Sequence, residues 1–329
     1  MKKFLFSLMA LGCMTVAQGQ NDMWTATLQH GDQVTVFKTM NAFVEAYNAA
    51  VDGDVITLSE GTFYGGVAIG KELTIYGAGF ENCDSTATRV TKIDGAFNIG
   101  ESGKNVSKFH IEGCLLGGVN IGVRGGSDTL VTSLCIKRCY FSGISFFNPM
   151  RDFLLTENVI MGDVDGYDNL TLSSGQINNC YVQKRIRYFN NCFDKISVDH
   201  CIIYTGAHTN VFYTNDIFAY NDIYQFSTGI NMQNCVLGSH SFYLTNATDC
   251  FFDVGAENIF TDGTNGVYSA ERTFEIRQPD VWIGTDGTQI GIHGGTGWNK
   301  MPSIPAIKNL ELDVDGRQLN VTFEAVARP

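Results

Sequence analysis

Residues 156–203, TENVIMGDVDGYDNLTLSSGQINNCYVQKRIRYFNNCFDKISVDHCII, decide the fold. A six-residue phrase of apolar, any, polar, cysteine or valine, apolar, apolar recurs in it at 156–161, 177–182 and 198–203. The phrase returns outside it at 111–116, 136–141, 232–237 and 247–252. One column through the copies reads Cys114, Cys139, Val159, Cys180, Cys201, Asp222, Cys235, Cys250, with central steps of 20, 21 and 21 residues. A period of this length, with glycines, asparagines and short apolar runs, is too short for stacked helical hairpins, whose repeats run to roughly 33 residues or more. It suits one coil of a three-sided β-helix, with short strands stacking at about 4.8 Å. The residue before the column is Asn158, Asn179, His200, Asn221, Asn234 and Asp249. Short polar side chains tolerate left-handed backbone, so these positions mark a corner.

Composition agrees. The chain has 329 residues, 36 of them glycine and only 5 proline, which favours many tight turns and short strands. Residues 39–50 place Met40, Phe43, Ala46, Tyr47 and Ala50 at helical spacing. A short amphipathic helix there would cover the open first coil, which would otherwise template aggregation. From 53 to 79, Ile56, Leu58, Val67, Ile69, Leu73 and Ile75 alternate as strands do. Two prolines in 301–305 read as a linker; beyond them Leu310, Leu312 and Val314, then Asp315-Gly316, then Leu319, Val321 and Phe323 give a β-hairpin signal.

The N-terminus carries Lys2 and Lys3, an apolar run from Phe4 to Leu11, and a small-residue pattern at Ala17 and Gly19. That is a secretory leader of about residues 1–19, too short to span a bilayer. Cys13 follows Leu11 and Gly12 as in a lipid acylation site, but Ala10 stands where a leucine is usual, which argues against a lipid anchor. The reading divides the chain into leader 1–19, N-terminal strand and capping helix 20–52, β-helix 53–300, and linker with hairpin 301–329. After leader removal the formal charge falls from −12 to −14, which makes nucleic acid and anionic lipid poor partners. Ten cysteines become nine, an odd number that cannot all pair within one molecule. Recurring at coil spacing and not as close pairs, they read as small core thiols and not as a zinc site.

Residues 42–79, AFVEAYNAAVDGDVITLSEGTFYGGVAIGKELTIYGAG, resemble the opening of secreted bacterial right-handed β-helix repeat proteins of the pectin-lyase-like superfamily. The matching marks are the capping helix, Gly53-Asp54 before Ile56, Gly61-Thr62-Phe63, and Leu73-Thr74-Ile75 before Gly77-Ala78-Gly79. Residues 285–295, TDGTQIGIHGG, resemble the last coil of such proteins. The resemblance implies an all-β, single-stranded right-handed parallel β-helix with an N-terminal capping helix. It does not imply one activity, because the superfamily holds pectate lyases, polygalacturonases, other polysaccharide lyases and adhesins.

The polygalacturonase motif series is missing in order; the nearest acidic cluster is Asp163, Asp165 and Asp168, and the nearest histidine phrase surrounds His293. An eliminating lyase needs a basic residue and a cationic partner for the uronate. Lys184, Arg185 and Arg187 are the densest basic group, and the period sets Lys184 one coil from Asp163. Asp163, Asp165, Lys184 and Arg185 are therefore the catalytic candidates, against a surface ion pair as the plainer reading. Residues 163–168 also have the oxygen density of a calcium loop without the EF-hand spacing, so calcium stands as an alternative to an ordinary turn. His200 falls in the corner column, where replacing asparagine outweighs a catalytic role. Tyr181, Tyr188, Tyr204 and Tyr224 are the ligand-stacking candidates. The expectation is a secreted or cell-surface protein that binds glycan or a surface partner along a flank without catalysis. A polysaccharide lyase or hydrolase is the alternative, and a structural spacer a third.

Overall fold

The computed structural model describes residues 24–326 apart from 82–89, 127–128, 171–172, 190–194, 209–210, 221–229, 240–245, 305 and 316–317. Cys13 and the leader lie outside these residues, as do Asn221, Asp222 and Tyr224. The chain is a right-handed parallel β-helix with three principal flanks. The first is a twelve-stranded sheet, the second a nine-stranded sheet and the third a seven-stranded sheet. The expected alternation appears on the first flank. Ile56, Ile75, Ile111, Ile136, Leu155, Ile177, Val198, Tyr213, Met232 and Ala247 stand in register and point inward. Burying such a side chain is worth roughly 1.5–3 kcal/mol, so this column alone strongly fixes the register.

The corner expected from the sequence is present, with two of its members reassigned. Left-handed backbone occurs at Arg138, Glu157, Asn179, His200, Asn215, Asn234 and Asp249, each one residue before the core column. The pairing Tyr140↔Val159↔Tyr181 moves Val159 one place beyond that column and puts Asn158 in it. Likewise Ile202↔Ile217↔Val236 puts Asp216 in the column. The column is therefore Cys114, Cys139, Asn158, Cys180, Cys201, Asp216, Cys235 and Cys250. A hydrophobic pattern could not reveal this, because what the position requires is a small group that both accepts and donates. Cys201 Sγ accepts from Cys180 N at 3.4 Å and donates to Ile177 O at 3.3 Å, and Cys180 Sγ donates to Leu155 O at 3.4 Å. Asn158 does the same with an amide: Oδ1 accepts from Cys139 N (2.9 Å) and Nδ2 donates to Ile136 O (2.8 Å). The described cysteines are all free thiols, and Cys114, Cys139, Cys180, Cys201 and Cys235 are buried.

The N-terminal end is closed by two devices. An antiparallel hairpin, Ala26–His30 with Gln33–Phe37, pairs against Val55–Leu58. Helix α1, Ala42–Ala49, buries Ala42, Phe43, Ala46 and Tyr47 over the first coil. Met40, expected on its apolar face, precedes the helix and is exposed.

At the other end the parallel ladder stops at the bridge Val236↔Phe251. The phrase expected to form a last coil instead runs outside the helix, down the corner column, as a strap. Asn234 Nδ2 donates to Ile283 O (3.0 Å), and Thr285 N donates to Asn215 Oδ1 (2.8 Å). Asn179 Nδ2 bonds Ile292 O (2.9 Å) and Gly294 O (2.8 Å), Asn299 N donates to Glu157 Oε2 (3.0 Å), and Arg138 Nη1 bonds Met301 O (2.9 Å). A Cβ on Gly294 would meet the His200 ring at 2.2 Å, which is why glycine stands where the strap crosses that histidine. The segment also covers the second flank. Outward residues Val159, Tyr181, Ile202, Ile217 and Val236 are buried with Phe274, Trp282, Ile290 and Ile292 in a separate apolar cluster. Paired apolar residues in each phrase follow from this: one faces the core and its neighbour faces the strap. Beyond the strap, Ala306–Asp315 and Gln318–Val326 pair antiparallel with Asp315 opposite Gln318, the hairpin expected from the alternation.

Candidate functional site

With the second flank covered, the third carries the predicted charged residues. Arg185-Ile186-Arg187 alternates in strand Arg185–Phe189 so that Ile186 enters the core and both guanidiniums point out. One coil back, Val164 is the inward residue and Asp163 and Asp165 flank it. The structure thus joins Asp163, Asp165 and Arg185, and adds Arg187. Arg185 N and Nε donate to Asp163 Oδ1 at 3.0 and 3.2 Å. Arg187 Nη2 is 2.9 Å from both Asp163 Oδ2 and Asp165 Oδ2. Lys184 is not stacked on Asp163 as the 21-residue period suggested. The step between these two coils is 22 residues, so Arg185 takes that position and Lys184 is exposed in the preceding bend.

Each carboxylate therefore faces a guanidinium. Burial raises the Asp165 carboxyl above its ordinary range, and Arg187 works against that rise. An acid and a base for glycosidic chemistry must exchange protons with substrate, whereas these two groups are held in a mutual ion-pair network. Asp163 and Asp165 direct oxygens at Arg185 and Arg187, an arrangement unlike a shell of calcium ligands; the side chain of Asp168 is outside the described residues. Among the described residues, no cluster of three or more His, Cys, Asp or Glu is placed to hold a metal ion.

The ion pairs belong to a polar row. Asn98, Asn120, Ser145, Asp165 and Arg187 stand in register on successive coils, and Asn120 Nδ2 donates to Asn98 Oδ1 at 2.8 Å. Aromatic rings border it. Tyr188 is 43% exposed, with the Arg187 guanidinium 4.9 Å from its ring centre. Tyr167 meets Phe147 edge-on at 5.1 Å and carries the Arg124 guanidinium at 4.8 Å, with Arg124 Nη2 donating to its hydroxyl. Arg187, Tyr167, Phe147 and Arg124 were absent from the predicted set. The alternation around Ile186 could have supplied Arg187; Arg124 comes from two coils away and has no local signal.

The other predicted tyrosines lie elsewhere. Tyr181 is fully buried under the strap, its hydroxyl donating to Gly266 O (3.0 Å), and so cannot offer a face to a ligand. Tyr204 stacks on Tyr220 at 5.7 Å beside the strap. His200 is buried in the corner, between Asp199 (2.9 Å) and Thr288 Oγ1 (3.1 Å), a docking role. His293 contacts Thr273 O and lies in the strap.

Comparisons with known proteins find no matching family model, no matching curated protein and no matching solved structure. No helix among the described residues is long and apolar enough to cross a membrane.

Proposed function

We propose that this chain is an exported, surface-located or secreted β-helix that binds a polysaccharide along its third flank without cleaving it. The observation that carries this reading is the partly exposed polar row Asn98, Asn120, Ser145, Asp165 and Arg187, bordered by Tyr188 and Tyr167. Amides, hydroxyls, carboxylates and guanidiniums repeated at about 4.8 Å offer paired donors and acceptors to a hydroxyl-rich chain, and the rings offer stacking faces. Export rests on the leader pattern of residues 1–19. The acidic balance directs the site towards neutral glycans and away from polyuronates.

A polysaccharide lyase or hydrolase is the second reading, favoured by the raised Asp165 carboxyl in a partly buried cluster. Both readings meet one experiment: incubation of the protein from Gln20 onward with plant, algal and host polysaccharides, followed by affinity electrophoresis and product analysis. Retardation by at least one polysaccharide with no new chain ends is the expected result. New reducing or unsaturated ends that disappear in Asp165→Asn would replace binding with catalysis, and no retardation by any member would remove the binding assignment.

A further inference from the structure

Where the parallel ladder ends, the corner column sets a half-buried thiol beside a buried one. Cys235 and Cys250 occupy that column on the last two coils, each preceded by a left-handed corner residue, Asn234 and Asp249. The bridge Val236↔Phe251 fixes their register. Both sulfurs turn the same way, Cys235 Sγ donating to Gln233 O (3.4 Å) and Cys250 Sγ to Thr248 O (3.3 Å). Cys250 Sγ also leans across to the earlier coil, where it accepts from Cys235 N at 3.4 Å. Residues stacked on adjacent coils stand about 4.8 Å apart, within the roughly 4.4–6.8 Å between Cα atoms that a disulfide spans. Cys114 with Cys139 and Cys180 with Cys201 are stacked likewise, but all four are fully buried. Cys135 lies between His110 and Leu154 on its row, with no cysteine on either adjacent coil. Among the described residues, Cys235 with Cys250 is therefore the stacked thiol pair that solvent can reach.

We propose that Cys235 and Cys250 form a reversible redox staple on the last coil, closed by exchange with a small-molecule disulfide and opened by a thiol reductant. The sulfur of Cys250 loses its proton and attacks one sulfur of the reagent; the reagent's S–S bond breaks as the new one to Cys250 forms. The departing sulfur leaves as a thiolate and takes up that proton. Cys235 then attacks the Cys250 sulfur of the mixed disulfide, and the second reagent sulfur leaves as a thiolate that takes the Cys235 proton. Two protein thiols are oxidised to one disulfide, the reagent is reduced to two thiols, and no other oxidant is needed. Charge agrees with access in setting this order. The hydrogen bond from Cys235 lowers the Cys250 thiol against the rise from burial, whereas burial holds the Cys235 thiol well above its ordinary value.

The staple falls where the solenoid is least supported. Asn246–Thr248 is the last strand of the first flank, paired on one side among the described residues, with Asn246, Thr248 and Asp249 exposed. Ala247, Cys250 and Phe252 pack on the end of the main core while staying partly exposed themselves. A terminal coil with few buried contacts opens locally at low free energy, and its unpaired edge is a template for association with other chains. A link between residues 15 apart ties that coil to the one before it and removes much of the freedom of the opened state.

The test is incubation of the folded protein from Gln20 onward with glutathione disulfide, followed by non-reducing peptide mass mapping and amide hydrogen exchange. The expected product is one intramolecular link joining the peptides that hold Cys235 and Cys250, reversed by dithiothreitol. Exchange of the amides of 246–252 should slow at least about tenfold on closure and recover on reduction. Cys235→Ser should stop the reaction at a glutathione adduct on Cys250, and Cys250→Ser should leave Cys235 unmodified in the folded protein. A wild-type adduct on Cys250 that never resolves into the link, or a link that forms only in denaturant, would overturn the proposal. So would an unchanged exchange rate in the linked protein. The deciding map comes from the wild type, so the result does not depend on either variant folding. No polysaccharide enters the experiment, and the proposal stands or falls apart from binding on the third flank.

Discussion

Asp216 occupies a core column in which its neighbours are thiols and one amide. Its Oδ1 accepts from Cys201 N at 2.6 Å, while Oδ2 is buried without a partner, as is the hydroxyl of Tyr213. Burial raises the carboxyl well above its ordinary value of 3.8, the bond from Cys201 notwithstanding. A folded-state value above the unfolded one stabilises the protein fully at pH below the unfolded value and loses that stabilisation as pH rises. Asp216→Asn should therefore raise neutral-pH stability by about 1–3 kcal/mol, because its amide can donate as Asn158 does to Ile136 O. Urea unfolding at pH 5 and pH 8 checks this: the wild type is expected to lose stability between the two, and the variant to lose less. At this scale the sequence was partly legible. Six cysteines announced the column, but Asn158 and Asp216 were displaced by one and six residues in the reading, since apolar spacing carries no trace of a polar group that substitutes for a thiol.

The strap is the element that the sequence concealed. Its glycine-rich phrase resembles a coil, yet the strap's carbonyls and amides meet corner side chains 49 to 163 residues earlier, which no local pattern encodes. The corner itself was legible, because Asn179, His200, Asn234 and Asp249 carry short polar side chains that tolerate left-handed backbone. Asn179 serves both requirements, turning the corner and holding the strap through Ile292 O and Gly294 O. Asn179→Gly keeps the turn and loses both bonds, an expected cost of about 1–3 kcal/mol. Asn179→Ala should cost about 1–2 kcal/mol more, from left-handed strain. Chemical unfolding measures the difference, and limited proteolysis within 283–303 should be faster in both. Arg138, 5% exposed between Glu112 and Glu157, is the strap's most demanding contact. Arg138→Met removes the buried cation shared by two carboxylates and should destabilise by about 3–5 kcal/mol in the same assay.

On the scale of the molecule, the strap divides the flanks by role. The second flank is sealed under an apolar cluster, and the first and third present open rows. The parallel β-helix, its capping helix and the terminal hairpin were readable from period and alternation, because burial on one side of a strand forces the pattern into the sequence. The site was readable only in part. Asp163, Asp165 and Arg185 converge, but a step of 22 residues in place of 21 between their coils exchanged Lys184 for Arg185, and Tyr181 was claimed by the strap. Solenoid geometry converts small differences in coil length into different neighbours, so site membership is decided by register.

The central claim, binding along the third flank, is tested most directly by titration calorimetry with the polysaccharide that gives the strongest retardation. The comparison is between wild type, Tyr188→Ala with Arg124→Ala on the third flank, and Gln176→Ala on the first. Binding weakened at least about tenfold by the first pair and unchanged by Gln176→Ala is the predicted result. Equal affinity in all three proteins would contradict it.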